Sequence, residues 1–182
     1  VIAAAAVSAL SFTQQIAQRC RIEPLVFDDV CPELCPALEQ IILHRAEGGR
    51  STKSLNQGGW KSTEDFFLWP DEAVQLLRQR IADELGAPRV VGWAMVNRAG
   101  SQHPRHQHRI ASLTGVYYVT TGSEDTITPT VFECEGDGSG RYELEVDPHP
   151  GRLVICRGET WHRVPVYAGE LPRITIAFDV RR

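Results

Sequence analysis

Beyond Val90 the chain stops reading as helix. Six short runs rich in β-branched and aromatic residues follow: RVVGWAMV (89–96), LTGVYYVTT (113–121), TPTVFECE (128–135), RYELEV (141–146), GRLVICR (151–157) and RITIAFDV (173–180). Gly, Pro, Asp and Ser part them, as expected of strands that end in turns. Two helical segments come first. In PELCPALEQIILHRAEGG (32–49), Leu34, Leu38, Ile41 and Ile42 recur at helical spacing up to Gly48-Gly49. In PDEAVQLLRQRIADELGAP (70–88), Val74, Leu77, Ile81 and Leu85 form the stripe, acidic residues occupy the first turn, and Gly86 and Pro88 close the end. Helices followed by a run of strands predict a mainly β domain, a jelly-roll-type double sheet buttressed by N-terminal helices. The helical support spans about 1–89 and the barrel about 90–182, within a single domain of 182 residues.

The charge balance narrows the partners. Nineteen Lys and Arg stand against 23 Asp and Glu, a net −4, and no basic run or face stands out. A nucleic-acid or membrane partner is therefore not expected. The five cysteines, Cys20, Cys31, Cys35, Cys134 and Cys156, have no recurring spacing, and the Cys31/Cys35 pair lacks the second pair a zinc site needs. Free thiols in a reducing cytoplasm are expected. The opening VIAAAAVSALSF is too short for a membrane span and reads as a first helix or a loosely packed terminus.

The chemistry gathers around RHQHRIASLTGVYYV (105–119). On a strand, His106 and His108 face the same way, and two neutral imidazoles on one spot suit a divalent transition metal. Paired histidines on a solvated edge look the same in sequence. His162 supplies a third imidazole after the GRLVICR strand, and Arg173 follows eleven residues later with Thr175 on the same face. Three histidines can hold one face of an iron and leave the rest for substrate and oxygen. An inward Arg with a neighbouring hydroxyl is costly in a barrel core unless it binds an anion, and its fork fits a carboxylate. His103 reads as a solvated loop histidine, and Trp93 as core or pocket wall. The Asn56–Trp60 loop reads equally as a capped turn or a lid. Trp161 packs under the metal site, and Tyr117 points away from Tyr118.

The chain resembles the Fe(II)/2-oxoglutarate-dependent oxygenases, specifically the bacterial and phage family described as "putative 2OG-Fe(II) oxygenase". The likeness lies in SLNQGGWKS (54–62), GWAMVNRAGSQHPRHQH (92–108), SLTGVYYV (112–119) and the WHRVP…LPRITIAF ending (161–178). It implies a double-stranded β-helix with His106, His108 and His162 as iron ligands. Arg173 and Thr175 are implied as the clamp on the distal carboxylate of 2-oxoglutarate, with the Tyr118 hydroxyl meeting that same carboxylate and Asn97 hydrogen-bonding the near end of the molecule. The implied cofactors are Fe(II), 2-oxoglutarate and O2. The implied reaction is hydroxylation of an amino acid, peptide or small natural product, with release of succinate and CO2. A homodimer is compatible with these readings.

One departure stands out. Most of the superfamily has a carboxylate where this chain has His108. That leaves three arrangements: three histidines, which is the expectation, a position filled by water or halide, or a carboxylate from elsewhere. The competing reading is a metal-binding cupin without 2-oxoglutarate. GSQHPRHQH fits its opening, but the following Glu is absent and such a protein has no need of Arg173.

Overall fold

The computed structural model describes residues 12–20, 23–52, 56–86, 89–136 and 140–181, so most of the apolar opening and Pro88 lie outside the described residues. Among the described residues there are three α-helices: α1 (Phe12–Arg19), α2 (Cys35–Gly48) and α3 (Glu72–Leu85). The α3 stripe of Val74, Leu77, Ile81 and Leu85 is fully buried, each side chain contributing roughly 1.5–3 kcal/mol. Gly86 ends α3 in a left-handed conformation at φ 56°, its N–H bonding the carbonyls of Ala82 and Asp83. That is the geometry glycine adopts without a Cβ penalty. In α2, Leu38 and Ile42 are fully buried, while Leu34 belongs to a 3-10 turn just before the helix.

All six runs are strands: β3 (Val90–Asn97), β5 (Ala111–Thr120), β6 (Thr130–Glu135), β7 (Arg141–Val146), β8 (Leu153–Arg157) and β10 (Arg173–Arg181). Four more escaped periodicity because each is only two to four residues long: β1 (Leu25–Phe27), β2 (Trp60–Lys61), β4 (His103–His106) and β9 (His162–Val164). Among the described residues they form a six-stranded sheet in the order β1-β8-β5-β10-β3-β2 and a four-stranded sheet in the order β4-β9-β6-β7. Every strand pairing among the described residues is antiparallel.

Side-chain alternation divides the large sheet into two faces. Ile174, Ile176, Phe178 and Val180 of β10 join Leu113, Tyr117 and Val119 of β5 in the core shared with the helices. Tyr117 indeed points away from Tyr118, and its hydroxyl donates to the Val30 carbonyl at 2.9 Å. The opposite face of β10 carries Arg173, Thr175, Ala177 and Asp179. The first three line a cavity between the sheets, and Asp179 lines the opening beside it. This is a double-stranded β-helix with helices on one side. All five cysteines are free thiols. Among the described residues no helix is long and apolar enough to cross a membrane.

Candidate active site

The register of the small sheet brings two histidines face to face. In the β4–β9 pair His106 lies directly opposite His162, and their ring centroids are 4.2 Å apart. His108 arrives differently from the strand expectation. β4 ends at His106, and the chain runs through Gln107 and His108 into a turn at Arg109 and Ile110 before β5 begins. The turn is fixed by the His108 N–H, which donates to the Gly158 carbonyl at 2.6 Å. Gly158 is needed there, because a Cβ would lie 2.5 Å from the His108 carbonyl oxygen and would also strike that of Ala111. One ligand-capable atom from each of His106, His108 and His162 lies within 4.8 Å of the others.

Each ring is also turned the right way. The Nδ1 atoms of His106 and His162 lie 2.8 Å and 3.0 Å from the backbone carbonyls of Pro104 and Thr160, and that of His108 lies 2.7 Å from Asp179 Oδ1. These acceptors hold the proton on Nδ1 and leave each Nε2 lone pair free for a metal. Burial pushes His106 below the usual imidazole range and His162 well below it, so both stay neutral and able to ligate. The donor set fits a ferrous ion. The carboxylate that reaches in from elsewhere, Asp179, meets His108 and not the centre of the cluster.

At the far end of the cavity Arg173 is 1% exposed. Among the described residues no carboxylate pairs with it. Its terminal nitrogen donates to Thr130 Oγ1 at 3.2 Å, while its Nε and the Thr175 hydroxyl are buried without a hydrogen-bond partner. Two buried donors facing one cavity fit an anionic ligand. Tyr118 stands beside Arg173, with its ring centroid 5.4 Å from the guanidinium carbon and its hydroxyl donating to Thr130 Oγ1 at 2.7 Å. Thr130 thus joins Tyr118 to Arg173. Asn97 lies opposite Arg173 in the β3–β10 register and donates to Asn56 Oδ1 at 3.2 Å, which puts it at the Arg end of the cavity and not at the histidine end.

Two other expectations change, and the Asn56–Trp60 segment takes one of its two readings. His103 is not a loop residue: it lies on β4, stacks on His106 at 4.1 Å, and is driven down to about 3 by burial and the neighbouring histidines. Trp161 turns away from the histidines and lies under the Arg105 guanidinium, 3.7 Å from its ring. Trp60 forms β2 and packs against the helix-side core, so the Asn56–Trp60 segment behaves as a packed turn. Trp93 is pocket wall, stacked 5.7 Å from His108 at an interplanar angle of 8°, with Lys61 Nζ 4.4 Å from the centroid of its ring. Asp179, Thr130 and Gly158 were not singled out by sequence. Only Asp179 carried a signal, an acid at even spacing from Arg173 on an otherwise apolar strand.

Comparison with known proteins agrees with this geometry. Residues 92–179 match the family model described as "Putative 2OG-Fe(II) oxygenase". No curated protein matches the sequence. Among solved structures, a Pseudomonas putida prolyl-4-hydroxylase is 20% identical with a TM-score of 0.69, covering 93% of this chain and 98% of its own. A Trichoplax adhaerens prolyl hydroxylase, solved with a hypoxia inducible factor oxygen degradation domain peptide fragment, is 12% identical with a TM-score of 0.72, covering 93% and 88%. The epimerase SnoN, solved with Fe3+, alpha ketoglutarate and nogalamycin RO, is 11% identical with a TM-score of 0.69, covering 91% and 82%. At these identities the likeness establishes the double-stranded β-helix fold. In its family match over residues 92–179, its fold and its H-x-H…H cluster, the chain resembles the Fe(II)/2-oxoglutarate-dependent oxygenases, whose cofactors are Fe(II) and 2-oxoglutarate.

Proposed function

We propose that the protein is an Fe(II)- and 2-oxoglutarate-dependent hydroxylase of an amino acid, peptide or small natural product, working as a single domain. The observation that carries this reading is the buried Arg173–Thr175 pair, whose unpartnered donors share a cavity with the three histidines. A cupin that uses metal alone gains nothing from a buried guanidinium without an acid partner, which costs several kcal/mol.

In this reading Nε2 of His106, His108 and His162 holds the iron, and Arg173 and Thr175 hold the distal carboxylate of 2-oxoglutarate. When bound, iron with 2-oxoglutarate and O2 supplies the oxidising power to hydroxylate a C–H bond, with succinate and CO2 released. The protein's own share is positioning and exclusion of water. Trp93, Met95, Val116, Phe132, Val154 and Ala177 give the cavity an apolar wall. The opening beside His106 and His108, flanked by Lys61, His103 and Arg109, is where substrate enters. The prolyl hydroxylases among the similar structures support hydroxylation as the reaction.

Anaerobic titration of the Fe(II)-loaded protein with 2-oxoglutarate tests the reading. A weak visible charge-transfer band that saturates at one equivalent is expected. Protein that binds iron but gives no band and no 2-oxoglutarate binding overturns it in favour of the cupin.

A further inference from the structure

We infer that Asp179 is a positioning residue for the metal site, supplying through His108 the negative charge that a ligand carboxylate supplies elsewhere in the superfamily. The inference rests on the proposed metal site and goes beyond it to explain why a histidine at position 108 is workable. His106 and His162 lean on neutral backbone carbonyls, whereas His108 alone leans on a carboxylate, at 2.7 Å. That carboxylate is itself held in place. Asp179 lies on the inward face of β10, paired in register with Thr114 of β5 and Val91 of β3, and is 4% exposed. Among the described residues no Lys or Arg forms an ion pair with it, and it faces His108 through the hydrogen bond at Nδ1. The Thr114 hydroxyl, which donates at 2.9 Å to the Phe178 carbonyl, lies 3.5 Å from His108 Nδ1, too far to rival the carboxylate at 2.7 Å as its acceptor.

A carboxylate on the far nitrogen of a ligating histidine fixes the tautomer, aims the ring and raises the basicity of the near nitrogen. Here it also places one negative charge a single imidazole away from the metal. A double substitution is therefore built into the fold relative to an H-x-D site: the ligand has become neutral and a buried acid has been set behind it. The consequence is counterintuitive. His108→Asp, which recreates the common superfamily ligand, should not restore a good site, because it sets a second carboxylate against Asp179 and its shorter side chain falls short of the cluster.

The test measures Co(II) and Mn(II) binding by calorimetry under anaerobic conditions, together with the visible spectrum of the Co(II) form. Asp179→Asn keeps an oxygen acceptor and removes the charge, and should weaken metal binding about tenfold. Asp179→Ala removes both and should weaken it towards ~100-fold, with an altered Co(II) spectrum. Asp179→Glu should recover part of the loss. His108→Asp should bind metal worse than wild type, and adding Asp179→Asn to it should improve binding. Thermal unfolding of the metal-free variants separates folding from ligation. Asp179→Asn that binds Co(II) with wild-type affinity and spectrum overturns the inference while leaving the metal site intact. Wild-type protein that binds neither metal overturns the metal-site reading itself and this inference with it.

Discussion

Arg173→Lys is the substitution that most sharply tests the proposed co-substrate. The guanidinium is buried at 1% exposure, faces a cavity that also holds the three histidines, and has no acid partner among the described residues. Burial alone pulls its pKa below the usual arginine value, the mark of a cation that has lost water without gaining an anion. A carboxylate in the fork would restore that loss through two charge-assisted hydrogen bonds worth roughly 1.5–3 kcal/mol each. Lysine keeps the charge but not the fork. Losing about one such bond weakens 2-oxoglutarate by ~10–100-fold. The effect can be read twice. Calorimetry on the Mn(II) form gives the affinity directly. In thermal melts, ligand at 100 times the wild-type Kd stabilises wild type by about 2.7 kcal/mol, but a variant weakened hundredfold by only about 0.4 kcal/mol. Metal affinity should be unchanged. Arg173→Met completes the argument: it should abolish 2-oxoglutarate binding while leaving the ligand-free protein as stable as wild type or more so. If Arg173→Lys bound 2-oxoglutarate as tightly as wild type, or Arg173→Met destabilised the ligand-free protein by several kcal/mol, the clamp assignment would be wrong.

Thr175→Val is nearly isosteric and removes a hydroxyl with no protein partner, so ligand-free stability should hold or rise while 2-oxoglutarate weakens about tenfold or more; a large loss of ligand-free stability would contradict this. His103, His106 and His162 all have folded-state pKa values lowered by burial, His103 to about 3. The unfolded chain therefore takes up protons first, and metal-free stability, full above ~6.5, should fall as pH drops below it, by at most about 2 kcal/mol per such histidine at pH 5. Urea melts of metal-free protein at pH 7.5 and 5 that gave equal midpoints would count against neutral, buried histidines. Gly158→Ala should cost about 1–3 kcal/mol and weaken metal binding, because the added Cβ meets the carbonyls that shape the His108 turn; unchanged calorimetric affinity would show that the turn does not control the ligand.

The sequence carried the long elements well and the short ones poorly, for a physical reason. α3 and β10 each bury enough apolar surface at one period to be read directly. β4 and β9 are four and three residues long, so no periodicity could announce them, yet their pairing sets His106 against His162. Reading His106 and His108 as alternate residues of one strand reached the right neighbourhood through the wrong local geometry. The true cause is a turn held by Gly158, some fifty residues downstream, which local patterning does not register. His103 was misread for a related cause: a Pro-flanked histidine looks solvated until the second sheet closes over it. The Arg173–Thr175 pair was legible because a charged residue and a hydroxyl at spacing two on an apolar strand demand an explanation. Thr130 was not, since a threonine at a strand start is unremarkable until Tyr118 and Arg173 both donate to it.

β10 ties these observations together. Its outward residues are continuous apolar core, which fixes its register between β3 and β5. Its inward residues then fall at set positions, Arg173 and Asp179 being six residues and roughly 20 Å apart along the strand. One end presents a cation without an anion and the other an anion behind a histidine. A register slip of one residue would exchange the two faces, burying Ile174, Ile176 and Phe178 in the cavity and driving Arg173 and Asp179 into the helix-side core. Such a slip would forfeit the buried Ile, Phe and Val contacts and part Asp179 from His108. The hydrophobic pattern that makes the barrel stable is therefore the same constraint that holds the two ends of the proposed site in alignment.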